Sequence, residues 1–392
     1  MASRSREAAA LLLALLLAAC QYSAPGPADS TSPPPPSAPT DPIDQQTNLF
    51  LKDGAVSAVV QVRWPGGEWS KAYGVRSLEG KGEAQPTDRS EVGGVTETLT
   101  AVTALKLVED HLIGLDDPVN NVIPNFTSVM HPPGPITVRE LLAQTSGIPD
   151  YVPVSFPDVD LRPQLAQPLP LAQALADAGT QPWPARSVGL FSYTETNYIA
   201  LGLLVQTLRK KPFPDVLDEE VIAPLGLQHT TLAHVEPAQP DILHGYITLR
   251  NQQIDTTDNT HFAGSSSRGL TTTMADLNTF FGSLFGGRLL APSSLALMEK
   301  GTGAGPYGLG IWKGSVGCSA SSRRFVSVGI QADHIAVGIA SDDGKYTASM
   351  DVAPPPLPTT AEDPSGDRHR NLIETQIDST LNQTLDALCP AP

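Results

Sequence analysis

The apolar residues fall into blocks whose spacing changes along the chain. Residues 8–19 form an unbroken run of twelve apolar residues, six of them leucine. That run is too short to cross a bilayer as a helix and fits the apolar part of an export signal, with Arg4 and Arg6 as its basic start. Residues 21–42 have no apolar period and read as a tether. Residues 55–64 (AVSAVVQVRW) are Val-rich with partial alternation and predict a strand, with 69–76 as its hairpin partner across Pro65-Gly66-Gly67. Residues 96–111 change period. Leu99, Val102, Leu105, Leu107 and Val108 recur at helical spacing with no Gly or Pro between them, which predicts a buried helix opening near Gly94. Further helices are predicted at 138–144, 197–207 and 276–285. After Gly308 short Val/Ile runs return at 310–312, 325–331, 336–340 and 345–352, and Asp343-Gly344 marks a hairpin turn. Strands at both ends and helices between them predict an α+β fold. Its antiparallel sheet is formed by the N- and C-terminal strands and flanked by helices, with an all-helical subdomain over about residues 105–270. The proline-rich stretches 33–36 and 354–364 are read as lying outside the folded region.

Composition narrows this picture. With 392 residues, 40% of them hydrophobic and 17% charged, the chain has the make-up of a globular protein. A formal charge of −16 argues against nucleic acid as a partner, because phosphate neutralisation needs basic surface. The apolar run ends Leu17-Ala18-Ala19-Cys20, which resembles the bacterial lipobox, whose cysteine is acylated and becomes the mature N-terminus. The expected organisation is a signal peptide over 1–19, a lipidated Cys20 with a Pro-rich tether over 20–44, and one domain over 45–390. The anchor implies the extracytoplasmic face of the bacterial cell membrane. Removing Cys20 leaves Cys318 and Cys389, an even pair that reads as a disulfide in an exported chain, two unpaired thiols being the alternative.

Longer phrases carry a family resemblance. VGGVTETLTAVTALKLVEDHLIGLDDPVNNVIP (92–124) followed by ITVRELLAQTSGIPDY (136–151) is similar to the nucleophile region of the serine β-lactamase and penicillin-binding protein family. Class C β-lactamases and the secreted DD-carboxypeptidases of actinobacteria are the relatives it most resembles. FSYTETNYIALGLLVQTL (191–208), APLGLQHTTL (223–232), FAGSSSRGLTTTMADLNTFF (262–281), YGLG (307–310) and SVGIQADHIAVGIASDDGKYTA (327–348) match later landmarks in order. Cys389 also has a counterpart near the C-terminus of the DD-carboxypeptidases. The resemblance spans roughly residues 45–390 and implies that family's fold.

The catalytic motifs depart from the family's pattern. The S-x-x-K motif, which supplies the acylated serine and its lysine, reads Gly94-Val95-Thr96-Glu97. The Y-x-N motif reads Tyr193-Thr194-Glu195, keeping the tyrosine that serves as base or proton relay in class C-like enzymes. The third motif, H-T-G or K-T-G, reads Ser327-Val328-Gly329 and keeps only its glycine. Gln144 stands where the family usually has histidine. Without a serine no acyl-enzyme can form. The expectation is a lipid-anchored pseudoenzyme with a binding or scaffold role in the cell wall. The alternative is a β-lactamase, esterase or D-Ala-D-Ala carboxypeptidase with non-standard catalysis through Tyr193 or the glutamates. The resemblance places Glu97 and Glu195 as close neighbours, so that one holds a proton or the pair recruits a cation. Glu97, Tyr193 and Glu195 are then the candidate binding groups, for an amine of a peptidoglycan stem peptide or for another envelope protein. A vestigial pocket is the competing reading, and a carboxylate-bound metal a weaker one. No cofactor is implied, and no His/Cys set has metal-ligand spacing. His261, His334 and His369 are read as surface or core histidines, and Arg323-Arg324 as a solvated pair, with facing the cleft as the alternative.

Overall fold

The computed structural model describes residues 40–155, 161–184, 189–233, 239–302, 305–359 and 363–389. The signal segment, Cys20 and most of the tether lie outside the described residues. The helices that place the site are α1 (Asp41–Lys52), α2 (Val95–Glu109), α3 (Val138–Leu142), α4 (Leu171–Gly179), α5 (Thr196–Arg209), α6 (Met274–Phe285), α7 (Pro292–Lys300) and α8 (Ser365–Leu388). The main strands are β1 (Ser57–Trp64) and β2 (Gly67–Gly74), then β7 (Trp312–Val316), β8 (Arg323–Ile330), β9 (Ile335–Ser341) and β10 (Thr347–Ala353). They form one antiparallel sheet in the order β2-β1-β10-β9-β8-β7. Ser57 stands opposite Ala353, so the first strand of the domain closes against the last of the sheet, as the sequence predicts.

The sheet is covered on both sides, which is why β9 and β10 are buried along their whole length. Ile335, Val337 and Ile339 point to one face, where they pack with Ile43 and Phe50 of α1 and with Ile373, Ile377, Leu381 and Leu385 of α8. The alternate positions, Ala336 and Ala340, face α2, α6 and the helical region. Twelve residues of α2 are buried, so this helix is enclosed on nearly every side. Its buried hydroxyls find acceptors without breaking the helix. Thr98 Oγ1 donates to the Gly310 carbonyl at 2.8 Å and Thr100 Oγ1 to the Ser266 carbonyl at 2.7 Å.

Four features differ from the sequence expectation. The first helix starts at Asp41, inside the stretch read as tether, because Ile43 is buried and Asp44 holds Lys71 and Tyr73. The segment over 105–270 is not all helical. It holds the hairpin β4 (Tyr246–Leu249) and β5 (Gln252–Asp255), and Ser90–Glu91 (β3) pairs with Thr271–Thr272 (β6). The proline stretch after Ala353 belongs to the fold. Leu357–Pro358 (β11) pairs with β4, and the buried Arg370 donates to the carbonyls of Leu357, Pro358 and Ala332. Finally, Arg324 is not solvated. It is 1% exposed, lies under α8 and is paired with Asp386 at 2.7 Å. The cysteines do pair, Cys318 with Cys389, with Cα atoms 5.1 Å apart. His261 and His334 are buried in the core.

Candidate functional site

Three segments meet at one end of α2. The helix begins at Gly94 with ordinary right-handed dihedrals. The β8 strand runs past it, and the backbones approach so closely that a Cβ on Gly329 would lie 2.0 Å from the Val92 carbonyl oxygen and 3.0 Å from the Gly94 nitrogen. Only glycine fits there. A Cβ on Gly94 itself would sit 3.0 Å from the Val328 carbonyl and 3.4 Å from the Tyr193 hydroxyl. A side chain at 94 would thus point between β8 and Tyr193. The six motif positions Gly94, Glu97, Tyr193, Glu195, Ser327 and Gly329 do converge. Ser327 is turned inward, with its hydroxyl 2.7 Å from that of Thr98.

Glu97 lies one turn into α2 and is 3% exposed. Tyr193, 47% exposed as a residue, donates its hydroxyl to Glu97 Oε1 at 3.0 Å. The amide of Gln144 reaches Glu97 Oε2 at 3.4 Å. Gln144 sits in the left-handed region (φ 58°) just after α3, and this turns its side chain inward. Its Oε1 accepts from Thr194 N at 3.0 Å and from Asn197 Nδ2, while its own carbonyl accepts from Ser192 N. One glutamine therefore ties α2, α3 and the segment before α5 together.

Glu195 is equally buried, but its partner is one the sequence reading missed. Arg268 grips it with two donors, Nε at 2.6 Å and Nη2, and Tyr151 and Ser267 add hydroxyl donors at 3.3 Å. The sequence reading left a held proton or a recruited cation as the two ways to accommodate the carboxylate pair, and did not foresee a cation from the chain itself. The cation is built into the fold at Arg268. Burial, and then the charge of Glu195, push the Glu97 carboxyl well above the usual carboxylate range, which favours the neutral acid. The same causes raise Asp150 to about 6. Burial of its hydroxyl end, then Glu97, pushes the Tyr193 phenol up as well. The centre of the cleft is therefore an ion pair beside a carboxyl and a phenol that their surroundings both push toward the neutral form. The signal for Arg268 was present in SSSRGL, a lone charge among small residues, but its partner is 73 positions away.

An aromatic rim borders this centre. The rings of Phe191, Tyr307 and Trp312 lie with centroids 4.8–5.6 Å apart, and Phe191 is 43% exposed. Tyr307 also reaches inward, its hydroxyl 3.3 Å from that of Tyr198. Among the described residues no group of three or more His, Cys, Asp or Glu at this cleft has atoms close enough to share a metal ion.

The family profile described as Beta-lactamase matches residues 43–317. The chain belongs to the beta-lactamase family. Among curated proteins it is similar to Protein flp of Staphylococcus aureus (strain MW2), 28% identical over 163 residues, 41% of this chain and 32% of that protein. It is also similar to Penicillin-binding protein 4* of Bacillus subtilis (strain 168), 23% identical over 179 residues, 45% of this chain and 38% of that protein. The chain spans about a third of the length of these relatives. Among solved structures, the D-stereospecific amidohydrolase from Streptomyces sp. is 25% identical with a TM-score of 0.69, covering 81% of this chain and 94% of that one. The D-amino acid amidase from Ochrobactrum anthropi SV3 is 17% identical with a TM-score of 0.73, covering 89% and 98%.

Proposed function

We propose that this chain is a non-acylating member of its family, held at the outer face of the bacterial membrane through a lipidated Cys20, and that its cleft binds cell-wall peptide rather than cleaving it. The observation that carries this reading is Gly94. It occupies the start of α2, against Gly329 and Tyr193, and brings no hydroxyl to the place where the family's serine stands. Glu97, one turn on, is a neutral acid by its surroundings and offers no lysine-like base. With Glu195 held by Arg268, the cleft favours neutral hydrogen-bonding groups, and the amides of a peptidoglycan stem peptide have that character.

The test is intact-mass measurement of the purified protein after incubation with a penicillin. No adduct is the expected result. A stoichiometric adduct that disappears in Tyr193→Phe sinks the proposal. The anchor is tested separately. Cys20→Ser is expected to move the protein from the membrane fraction to the soluble one.

A second reading has one observation in its favour. Glu97 and Tyr193 are hydrogen-bonded beside the space that a serine would fill, so Glu97, once ionised at high pH, is placed to take a proton from a water there. Hydrolysis of a chromogenic cephalosporin or of a D-amino acid amide that is lost in Glu97→Gln would establish it in place of the binding role.

A further inference from the structure

We propose a divalent transition-metal site, with Zn2+ as its natural occupant, formed by Glu79, His244 and Asp255 at the edge of the β4–β5 hairpin and sharing no residue with the cleft. The three residues come from three separate stretches of chain: the loop after β2, the approach to β4 and the last position of β5. Their ligand atoms all lie within 4.8 Å of one another. His244 Nδ1 is already 2.6 Å from Asp255 Oδ2.

What separates this set from a chance surface cluster is how each member is held. The backbone of His244 is fixed, its N–H donating to the Arg76 carbonyl at 2.8 Å. Asp255 is oriented by Thr257, whose N–H and hydroxyl donate to Oδ1 at 2.9 and 2.5 Å, which leaves Oδ2 turned toward His244. Glu79 is oriented by Tyr246, whose hydroxyl donates to Oε2 at 2.6 Å and is itself positioned by Leu78 N at 2.9 Å. Such outer partners, which fix the aim of a ligand, are a hallmark of metal sites.

The donor set selects the metal. One imidazole with two carboxylates suits a borderline ion such as Zn2+ better than Ca2+ or Mg2+, which prefer all-oxygen shells. Metal–ligand bonds of about 2.0–2.1 Å in a tetrahedron put ligand atoms roughly 3.4 Å apart. The His244–Asp255 contact would open by under ~1 Å and the Glu79 carboxylate would close in by at most about 1.4 Å, with solvent completing the shell. Metal binding needs the ligand nitrogen of His244 free of its proton, so binding releases a proton and weakens in acid. Zinc here would staple the loop after β2 to the hairpin.

The experiment is titration of the chelator-treated full-length protein with Zn2+ by calorimetry, with Co2+ as a spectroscopic probe of nitrogen ligation. Saturable 1:1 binding and a raised Tm are expected. His244→Gln and Glu79→Gln should each weaken binding at least tenfold without lowering the metal-free Tm to match. Tyr246→Phe, which removes only the orienting hydroxyl, should weaken it about tenfold. Asp116→Asn, at a carboxylate bound to Arg139 and to none of the three ligands, should leave binding unchanged. Absence of 1:1 binding, or binding that survives both His244→Gln and Glu79→Gln, overturns the proposal. Penicillin labelling has no bearing on this outcome, so the metal site and the cleft reading fail independently.

Discussion

A buried acid next to another carboxylate can be accommodated by giving up its charge or by acquiring a cation, and this cleft uses both routes. Glu195 has Arg268, while Glu97 takes the neutral form with Tyr193 and Gln144 around it. The two routes predict different mutational behaviour. Arg268→Met strands the Glu195 charge in a site that is 4% exposed, and should cost about 3–5 kcal/mol of stability. Adding Glu195→Leu should recover most of that loss, which a denaturation cycle over the four proteins would show. Glu97→Gln should be nearly neutral near pH 5, since the amide copies the protonated acid. A carboxyl raised in the fold loses its stabilising effect as pH rises above its unfolded value, so the variant should overtake the parent toward alkaline pH. A variant that lost several kcal/mol at every pH would show Glu97 to be charged. At this scale the motif positions were legible because each lies within four residues of its neighbours. Arg268 was not, because an ion pair across 73 positions leaves no local pattern.

Elements were legible in proportion to how periodic their burial is. The helix α2 announces itself through closely spaced apolar residues, and β9–β10 through Val/Ile runs about a Gly turn. The helix α8 carries an equally regular stripe, Ile373, Ile377, Leu381 and Leu385, all at 3% exposure or less. It was hidden behind the prolines at 354–364, which look like a tail until β11 is seen pairing with β4. The short β4–β5 hairpin had no such stripe, because only β4 is buried and β5 is largely exposed. The start of α2 gives this scale its prediction. Gly94 has helical dihedrals, so a side chain there is not strained by the backbone, and the one tight contact is with the Val328 carbonyl at 3.0 Å. Gly94→Ser should therefore fold, with stability changed by less than about 1 kcal/mol. It should nevertheless remain unlabelled by a penicillin, because Glu97 supplies no cation and Lys is absent from the next turn. Labelling of this single variant would show that the hydroxyl alone was missing.

Over the whole molecule, the two layers that clasp the sheet are bound by chemistry that responds to pH. Beneath β3, Glu91 faces Asp333, His334 and Gln331, and His334 is bonded to Asp351 at 2.9 Å with both side chains almost wholly buried. Burial, then the Asp333 charge, raises Glu91 to about 7, with His334, Gln331 and Arg268 pulling the other way. His334 is raised to about 9: burial opposes its charge, but Asp351, Asp333 and Glu91 outweigh that. Both shifts make the folded state bind protons more tightly than the unfolded chain does. The Glu91 contribution is present below about pH 4.5 and lost as pH climbs through 7. The His334 contribution is present below about 6.5 and lost through 9. The two limbs add, so stability should decline across the range from pH 5 to 9. A tenfold change in proton affinity is worth about 1.4 kcal/mol, which puts the Glu91 limb at no more than about 3.5 kcal/mol. Glu91→Gln should flatten the lower limb and draw the upper one to lower pH, because Glu91 is one of the charges that hold His334 up. His334→Gln should flatten the upper limb and also lower stability at pH 6, because it strips the buried Asp351 of its partner. Urea unfolding midpoints taken at half-unit pH steps measure both. A parent whose stability rose between pH 5 and 7 would show that the surface carboxylates, not this buried set, govern the fold's response to protons.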